Sequence, residues 1–152
     1  MNTQRLSSLL SGREPRFTPM SMTSTMGEAA TVLARRGHKV VAVFDNGKLE
    51  GLLTRGDVLR YFFQTAGRQE TEQRISAVMN RAVVAASPEA LFIQALEIME
   101  QNNIKHLPVV DKGQLLGMVH EAELLRGLCD ALQFDYCQMQ EYIDHLHQAG
   151  QD

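Results

Sequence analysis

The stretch Gly51-Leu52-Leu53-Thr54-Arg55-Gly56-Asp57 brings a hydroxyl, a guanidinium and a carboxylate within four positions of one another. The apolar run before it reads as strand, and Leu59 and Tyr61-Phe62-Phe63 after it read as helix. Thr54 to Asp57 therefore fall at a helix start. Such a start presents unpaired N–H groups and a partial positive charge, which suit a phosphate. Asp57, one turn in, is placed to accept hydrogen bonds from both hydroxyls of a ribose, and its charge strengthens them. Thr-x-x-Asp also approximates a capping box, in which the two side chains serve only the helix's own N–H groups. Local sequence leaves both readings open.

Other chemistry finds little support in the residues. The five histidines, His38, His106, His120, His145 and His147, are scattered, and the last two fall on different faces of one helix. The sequence contains no Gly-x-Ser-x-Gly elbow, no Gly-Lys-Thr phosphate loop and no paired zinc-ligand motif. The expectation is a protein that is not an enzyme and carries no metal or resident cofactor. Cys129 and Cys137 stand eight positions apart on a helical stretch, about 12 Å along its axis. Cα atoms must approach within about 7 Å for a disulfide, so both read as thiols.

Composition narrows the class further. The chain has 152 residues, of which 44% are hydrophobic and 22% charged, with a net charge of −3. These values argue against wholesale disorder and against a generally basic nucleic-acid binder. No apolar run reaches the roughly 18 residues that span a bilayer. The first 15 residues lack the apolar core of a secretion signal. A cytoplasmic protein with no membrane or nucleic-acid partner is expected.

The elements that must position Asp57 occur twice. A shift of 66 residues lays Ala29 on Ala95, Lys39 on Lys105, Val43 on Val109, Asp45 on Asp111 and Gly47 on Gly113. The same shift lays Leu49 on Leu115, Gly51 on Gly117, Leu59 on Leu125 and Arg60 on Arg126. Each copy reads as helix, strand, turn, strand, helix, over about residues 16–64 and 80–127. In the second copy Ser87-Pro88-Glu89 reads as a helix start, and Leu91, Ala95, Ile98 and Met99 as its apolar face. Asn102-Asn103 ends that helix, and Asp111-Lys112-Gly113-Gln114 turns a hairpin between 106–110 and 115–119. The first copy repeats the hairpin with strands 40–44 and 49–53. One such sheet cannot bury its own face. Two copies packed sheet to sheet do so, giving an α/β (α+β) fold. Residues 1–15 precede the pair, 65–79 link its units, and 128–152 extend it as a helix.

A strand of Pro-Val-Val-Asp type, a glycine turn, and Gly-hydrophobic-hydrophobic-Thr-x-x-Asp opening a helix together resemble the cystathionine β-synthase (CBS) domain. Two in tandem resemble a CBS pair, or Bateman module, over residues 16 to 127. The resemblance implies a regulatory module that binds an adenosine-containing ligand between its units: AMP, ADP, ATP or S-adenosylmethionine. It implies that Asp57 holds the ribose, while Thr54 and the backbone near Gly56 hold ribose or phosphate. Arg55, His38 and Lys39 would face the phosphates. Val83 or Val84 and Ile104-Lys105 of the opposite unit would form the adenine slot. Arg35 and Arg36, by contrast, suit the end of a helix, where they complement its dipole. The alternative is a ligand-free dimerisation or adaptor module in which Thr54 and Asp57 only cap.

The second copy departs from this pattern, with His120 at the threonine position and Glu123 at the aspartate position. His120, Glu123 and the neighbouring His106 define a second site in which His120 either fills phosphate space or, when protonated, attracts phosphate. The other reading is a helix start that is merely capped.

Beyond Glu123, Leu125, Cys129, Leu132, Tyr136, Met139, Ile143 and Leu146 recur at alternating spacings of four and three. That is a coiled-coil seam of about three heptads. It either associates with another helix or packs back on its own chain. The resemblance implies a homodimer that acts on a protein effector the sequence does not name, and Leu6, Leu9 and Leu10 suit a short helix in the same layer.

Overall fold

Both hairpins turn on a left-handed pair of residues. Asn46 and Gly47 have φ of 49° and 77°, and Lys112 and Gly113 have φ of 50° and 77°, the geometry that matches strand twist in a two-residue turn. The computed structural model describes residues 3–65, 68 and 70–150. Positions 1–2, 66, 67, 69 and 151–152, at the ends of the chain and in the expected linker, lie outside the described residues.

In the first unit the turn joins β2 (Val40–Asp45) to β3 (Lys48–Thr54), and β1 (Thr18–Ser21) runs parallel to β2 on its other edge. Helices α2 (Met26–Ala34) and α3 (Arg55–Gln64) cover this sheet. In the second unit β4 (His106–Asp111) pairs with β5 (Gln114–His120), between α4 (Phe92–Asn102) and α5 (Glu121–Ala149). The parallel edge recurs as well: Met20 pairs with Val43, and 66 positions on Ala86 bridges Val109 in the same sense. Each hairpin even bulges at the same step, after Val43 and after Val109.

The buried residues follow the repeat. Met26, Ala29, Leu33, Val41, Val43, Leu53 and Val58 form one core, and Phe92, Ala95, Met99, Leu107, Val109, Val119 and Leu124 occupy the matching places in the other. Each large side chain fully buried here contributes roughly 1.5–3 kcal/mol. Among the described residues no buried side chain is polar or charged.

The second unit's first helix begins later than its sequence suggests. Ser87-Pro88-Glu89 forms a turn, in which Ser87 Oγ accepts the Glu89 N–H, and α4 starts at Phe92. The cause lies at the other end of the chain. The Pro88 and Ala90 carbonyls accept the N–H groups of Ser7 and Leu6 at 2.9 and 3.0 Å, and Phe92 donates to the Gln4 carbonyl at 3.0 Å. Residues 4–7 thus hold this segment out of helical geometry. They continue into α1 (Leu6–Leu10), whose Leu6 is fully buried in the second core.

α5 does not end where the unit does. It runs for 29 residues, and from Leu132 onward every described residue is exposed. Leu124, Gly127 and Leu128 seat its base, Gly127 directly against the Phe92 ring. The apolar stripe points elsewhere: Leu132 is 67% exposed and Met139 64%. The alternative in which this stripe packs back on its own chain is therefore not what the structure shows, because the body holds a different face of the helix.

The two units exchange their leading segments. Asn80, which leads into the second unit, bonds to Leu52 of β3 through both backbone groups, at 2.8 and 3.0 Å. Pro15, which leads into the first, accepts from the Met118 N–H of β5 at 2.9 Å. Backbone leaves no space for a side chain at Gly51, and Gly117 is tightly approached as well. A Cβ on Gly51 would lie 2.9 Å from the Asn80 carbonyl oxygen and 2.7 Å from Met79 Sδ, and one on Gly117 would lie 2.9 Å from Leu10 Cδ2. Gly51→Ala is expected to lower stability by about 1–3 kcal/mol through overpacking against backbone. A denaturant midpoint unchanged from wild type would refute the crossing's role.

Candidate functional site

Two clefts related by the repeat lie between the units, and they differ. The first, of about 570 Å³, is lined by Thr54, Gly56 and Asp57 from the start of α3, and by Lys39 and Val40 before and on β2. The second unit closes it with Asn103, Ile104, Lys105 and His106. Asn103 makes this geometry by ending α4 in a left-handed conformation, φ 51°, which turns the chain into the cleft.

At the head of α3 the capping box is formed. The Thr54 N–H donates to Asp57 Oδ2 at 2.8 Å, Thr54 Oγ1 donates to the same oxygen at 2.9 Å, and the Asp57 N–H donates to Thr54 Oγ1 at 3.4 Å. Oδ1 takes no part in the cap and meets only Arg60 Nη1, at 3.5 Å. Gly56 stands beside them with open space around it: an added Cβ would find nothing closer than Thr54 Oγ1 at 3.7 Å. Packing gives no reason for glycine there.

Arg55 lines the cleft, but its guanidinium is engaged by α2. Nε donates to the Leu33 carbonyl at 2.6 Å and Nη2 to that of Arg35 at 2.9 Å. Arg55, rather than Arg35 or Arg36, therefore satisfies the end of α2. His38 faces away into a separate groove, with Nδ1 2.9 Å from Thr18 Oγ1. Val83 and Val84 do not line the first cleft, and Val84 packs on the second core instead. Asn80 lines the cleft, three residues upstream of them.

The second cleft, about 320 Å³, is lined by Gly37, Lys39, His106, Met118, His120, Glu123 and Arg16. Glu123 Oε2 accepts the His120 N–H at 2.9 Å, which repeats the cap at Asp57. Its Oε1 is taken by the N-terminal segment. Arg13 Nη1 donates to it directly, and Arg16 Nη1 donates at 2.6 Å, while Arg13 Nη2 reaches the Met118 carbonyl at 2.7 Å. At the positions 66 residues on, the first cleft has Met79 for Arg13 and Ala82 for Arg16. Asp57 meets one arginine, of its own helix and at 3.5 Å, whereas Glu123 is held by two arginines of the N-terminal segment.

The CBS domain family model matches residues 15–64 and again 75–130. The chain belongs to the CBS domain family. A CBS domain-containing protein of Bacillus subtilis, YhcV, is 31% identical over 106 residues, 69% of this chain and 74% of that one. The match to an arabinose 5-phosphate isomerase of Yersinia pestis, KdsD, also 31% identical, takes in 71% of this chain and 33% of the isomerase. Among solved structures, the CBS pair of MJ0100 in complex with 5′-methylthioadenosine and S-adenosylmethionine shares the fold at a TM-score of 0.72. It is 24% identical to this chain, and the alignment covers 85% of this chain and 98% of that one. The cytosolic domain of the Mg²⁺ channel MgtE in complex with ATP has a TM-score of 0.61 and 24% identity, over 74% of this chain and 45% of that one.

Within this CBS pair, His106 forms the wall between the clefts and lines both. Its ring meets His120 edge to face at 4.7 Å, across the β4–β5 pair that corresponds to Val40 and Thr54. Burial, His120 and Lys39 together push the His106 imidazole from its ordinary 6.5 down to about 4. Burial and Lys39 lower His120 as well, and its Nδ1 accepts the Ala122 N–H at 3.1 Å. Both shifts favour the neutral rings, which weighs against a protonated His120 drawing phosphate into this cleft. Burial alone would raise the Glu123 carboxyl, but the His120 N–H, Arg13 and Arg16 hold it below its ordinary value.

Besides Asn102 and Asn103 at the end of α4, sequence reading missed four polar residues here: Arg60, Asn80, Arg13 and Arg16. Arg60 was within reach, one helical turn beyond Asp57 on the same face. The others enter through the segment exchange, which no local pattern announces.

His106 also sets a pH dependence. As pH falls below 6.5 the unfolded chain takes up a proton that the folded protein refuses until about 4. Stability held by neutral His106 is complete above that window and is lost as pH drops through it. His106→Val, which copies Val40, is expected to reduce the loss between pH 7 and 4.5 by about 2 kcal/mol. Chemical denaturation at the two pH values measures the difference, and equal losses in both proteins would exclude it.

Proposed function

We propose that this CBS pair is a regulatory module, rather than a catalyst, that binds one phosphate-bearing adenosine ligand per chain in the first cleft. The observation that carries the reading is the head of α3. There an unpacked Gly56 leaves helix N–H groups open, beside an Asp57 oxygen that the cap does not use. Phosphate approaches a helix start of this kind by direct contact with backbone, and Asp57 Oδ1 is the acceptor for ribose hydroxyls. Lys39, Lys105 and Arg60 line the same cleft and supply the positive charge that favours AMP, ADP or ATP over a cationic sulfonium. Ile104 and Leu52 offer apolar surface for the base. Ligands of MJ0100 and MgtE, each containing adenosine, support the class.

The second cleft takes no ligand in this reading, because Arg13 and Arg16 hold the carboxylate that would meet the ribose. Signalling proceeds through a homodimer. Leu59 and Leu125, equivalent in the repeat, are 73% and 47% exposed on the outer helix faces, with Phe63 beside the former at 84%. Ligand closure of the first cleft changes how these faces meet and what a protein effector encounters. The adaptor reading has one observation in its favour, the completed cap at Thr54 and Asp57.

Calorimetric titration with AMP, ATP and S-adenosylmethionine separates the two. The expected result is one saturable site, tighter for the phosphorylated compounds and weakened at least tenfold by Asp57→Ala. Because that change also breaks a cap, Gly56→Leu supplies a second test: it fills the open space, leaves the cap intact and is expected to abolish binding. No heat with any of the three leaves the adaptor reading. Two sites per chain would show that the arginines do not close the second cleft.

A further inference from the structure

The unabsorbed feature of the molecule is the far half of α5. From Leu132 to Ala149 the helix leaves the body entirely, a projection of about 27 Å. Isolated helices of this length are marginal in water, and helical stability in proteins comes mainly from covering an apolar face. Such a face is present. Leu132, Tyr136, Met139 and Leu146 are each more than half exposed, and Ile143 is 39% exposed.

The base of the helix shows that this face is available for its whole length. Leu124, Gly127, Leu128 and Ala131, at spacings of three and four, define the side turned to the body. The seam that starts at Leu125 and Cys129 is turned about 100° from it around the helix axis. Body and seam do not compete.

We infer that α5 pairs with α5 of a second copy as a parallel two-stranded coiled coil, its seam running from Leu125 to Leu146 with Cys129 facing the partner's Cys129. A seam with the 4-3 spacing is complementary to itself, so a second copy fits it without further assumption. Flanking charge selects the direction. In a parallel pair each Glu121, which meets the exposed Lys105 Nζ of its own chain at 3.8 Å, lies beside the partner's Arg126, five residues on, and the two-fold makes this attraction twice. The remaining flanking pairs, Leu128 with Gln133, Asp135 with Gln140 and Tyr142 with His147, bring no like charges together. An antiparallel pair with its apolar layers opposed sets Arg126 against the partner's His147 and forms no such attraction. Parallel pairing also keeps the two bodies side by side, where Leu59 and Leu125 are exposed. The inference rests on the homodimer reading above and specifies which element joins the copies and in what direction.

The chain carries its own reporters, since Cys129 lies on the seam and Cys137 on the outer face, and both are exposed thiols. Treatment of the full-length Cys137→Ser protein with a short bis-maleimide is expected to give a covalent dimer. Cys129→Ser, which retains Cys137, is expected to give at least fivefold less. Leu132→Asp with Met139→Asp, both at exposed positions, is expected to remove the Cys129 product while leaving thermal unfolding of the body unchanged. An antiparallel pair would hold the Cys129 sulfurs about 25 Å apart and give no such product. A protein that light scattering shows to be dimeric, but whose Cys129 links no better than Cys137, overturns the coiled coil and leaves the homodimer standing. A monomer by mass overturns both. Neither result bears on the calorimetric test of the cleft.

Discussion

The backbone crossings at Gly51 and Gly117 decide what the rest of the molecule can do. At each, the segment leading into one unit is bonded to the sheet of the other, and at Gly51 so closely that a methyl group has no room. The two cores are separate clusters of side chains, yet neither sheet is finished without its neighbour's leading segment. This explains why a small unit occurs twice and in register. It also explains why the clefts exist, since each lies where one unit's helix start faces the strand approach of the other. A unit taken alone would lose a sheet edge and one wall of each cleft together.

Duplication of this kind predicts two equal sites, and the chain has broken the equality with few changes. Val40 became His106, Thr54 became His120 and Asp57 became Glu123 across the repeat, and Ala82 stands where the first copy has Arg16. The longer carboxylate reaches two guanidiniums of the N-terminal segment, which anchors that segment and occupies the second cleft. The backbone registers the constraint at Arg16, which takes a φ of +59°, a conformation that costs a non-glycine residue energy. The guanidiniums of the N-terminal segment thus serve the chain's own carboxylate in the second cleft.

Much of this was legible in residue order, and the remainder divides by physical cause. The hairpins, their turns and the helix starts at Thr54 and His120 are local, and local spacing revealed them, while the family resemblance pointed to Thr54, Gly56, Asp57, Ile104 and Lys105, all of which line the first cleft. Partners separated widely along the chain were hidden. β1 is a four-residue strand recognisable only by what it pairs with, and Ser87-Pro88-Glu89 looks like a helix start until residues 4–7 claim its carbonyls. Arg55 reads as a phosphate ligand by the family resemblance, whereas its guanidinium donates to carbonyls at the end of α2, too distant in sequence for a local pattern to show. Val83 and Val84 were expected to line the base slot, but the exchange brings Asn80 there instead.

One consequence follows from the continuity of α5. The helix whose first turn carries Glu123 into the second cleft is the same unbroken helix that ends at Ala149, so the molecule carries a lever about 40 Å long. Its fulcrum is the contact of Gly127 with the Phe92 ring. A tilt of about 5° at the fulcrum, too small to disturb the core, carries the far end through roughly 3 Å, half the width of a helical turn. A displacement of that size passes unnoticed inside a cleft and is large at a helix tip.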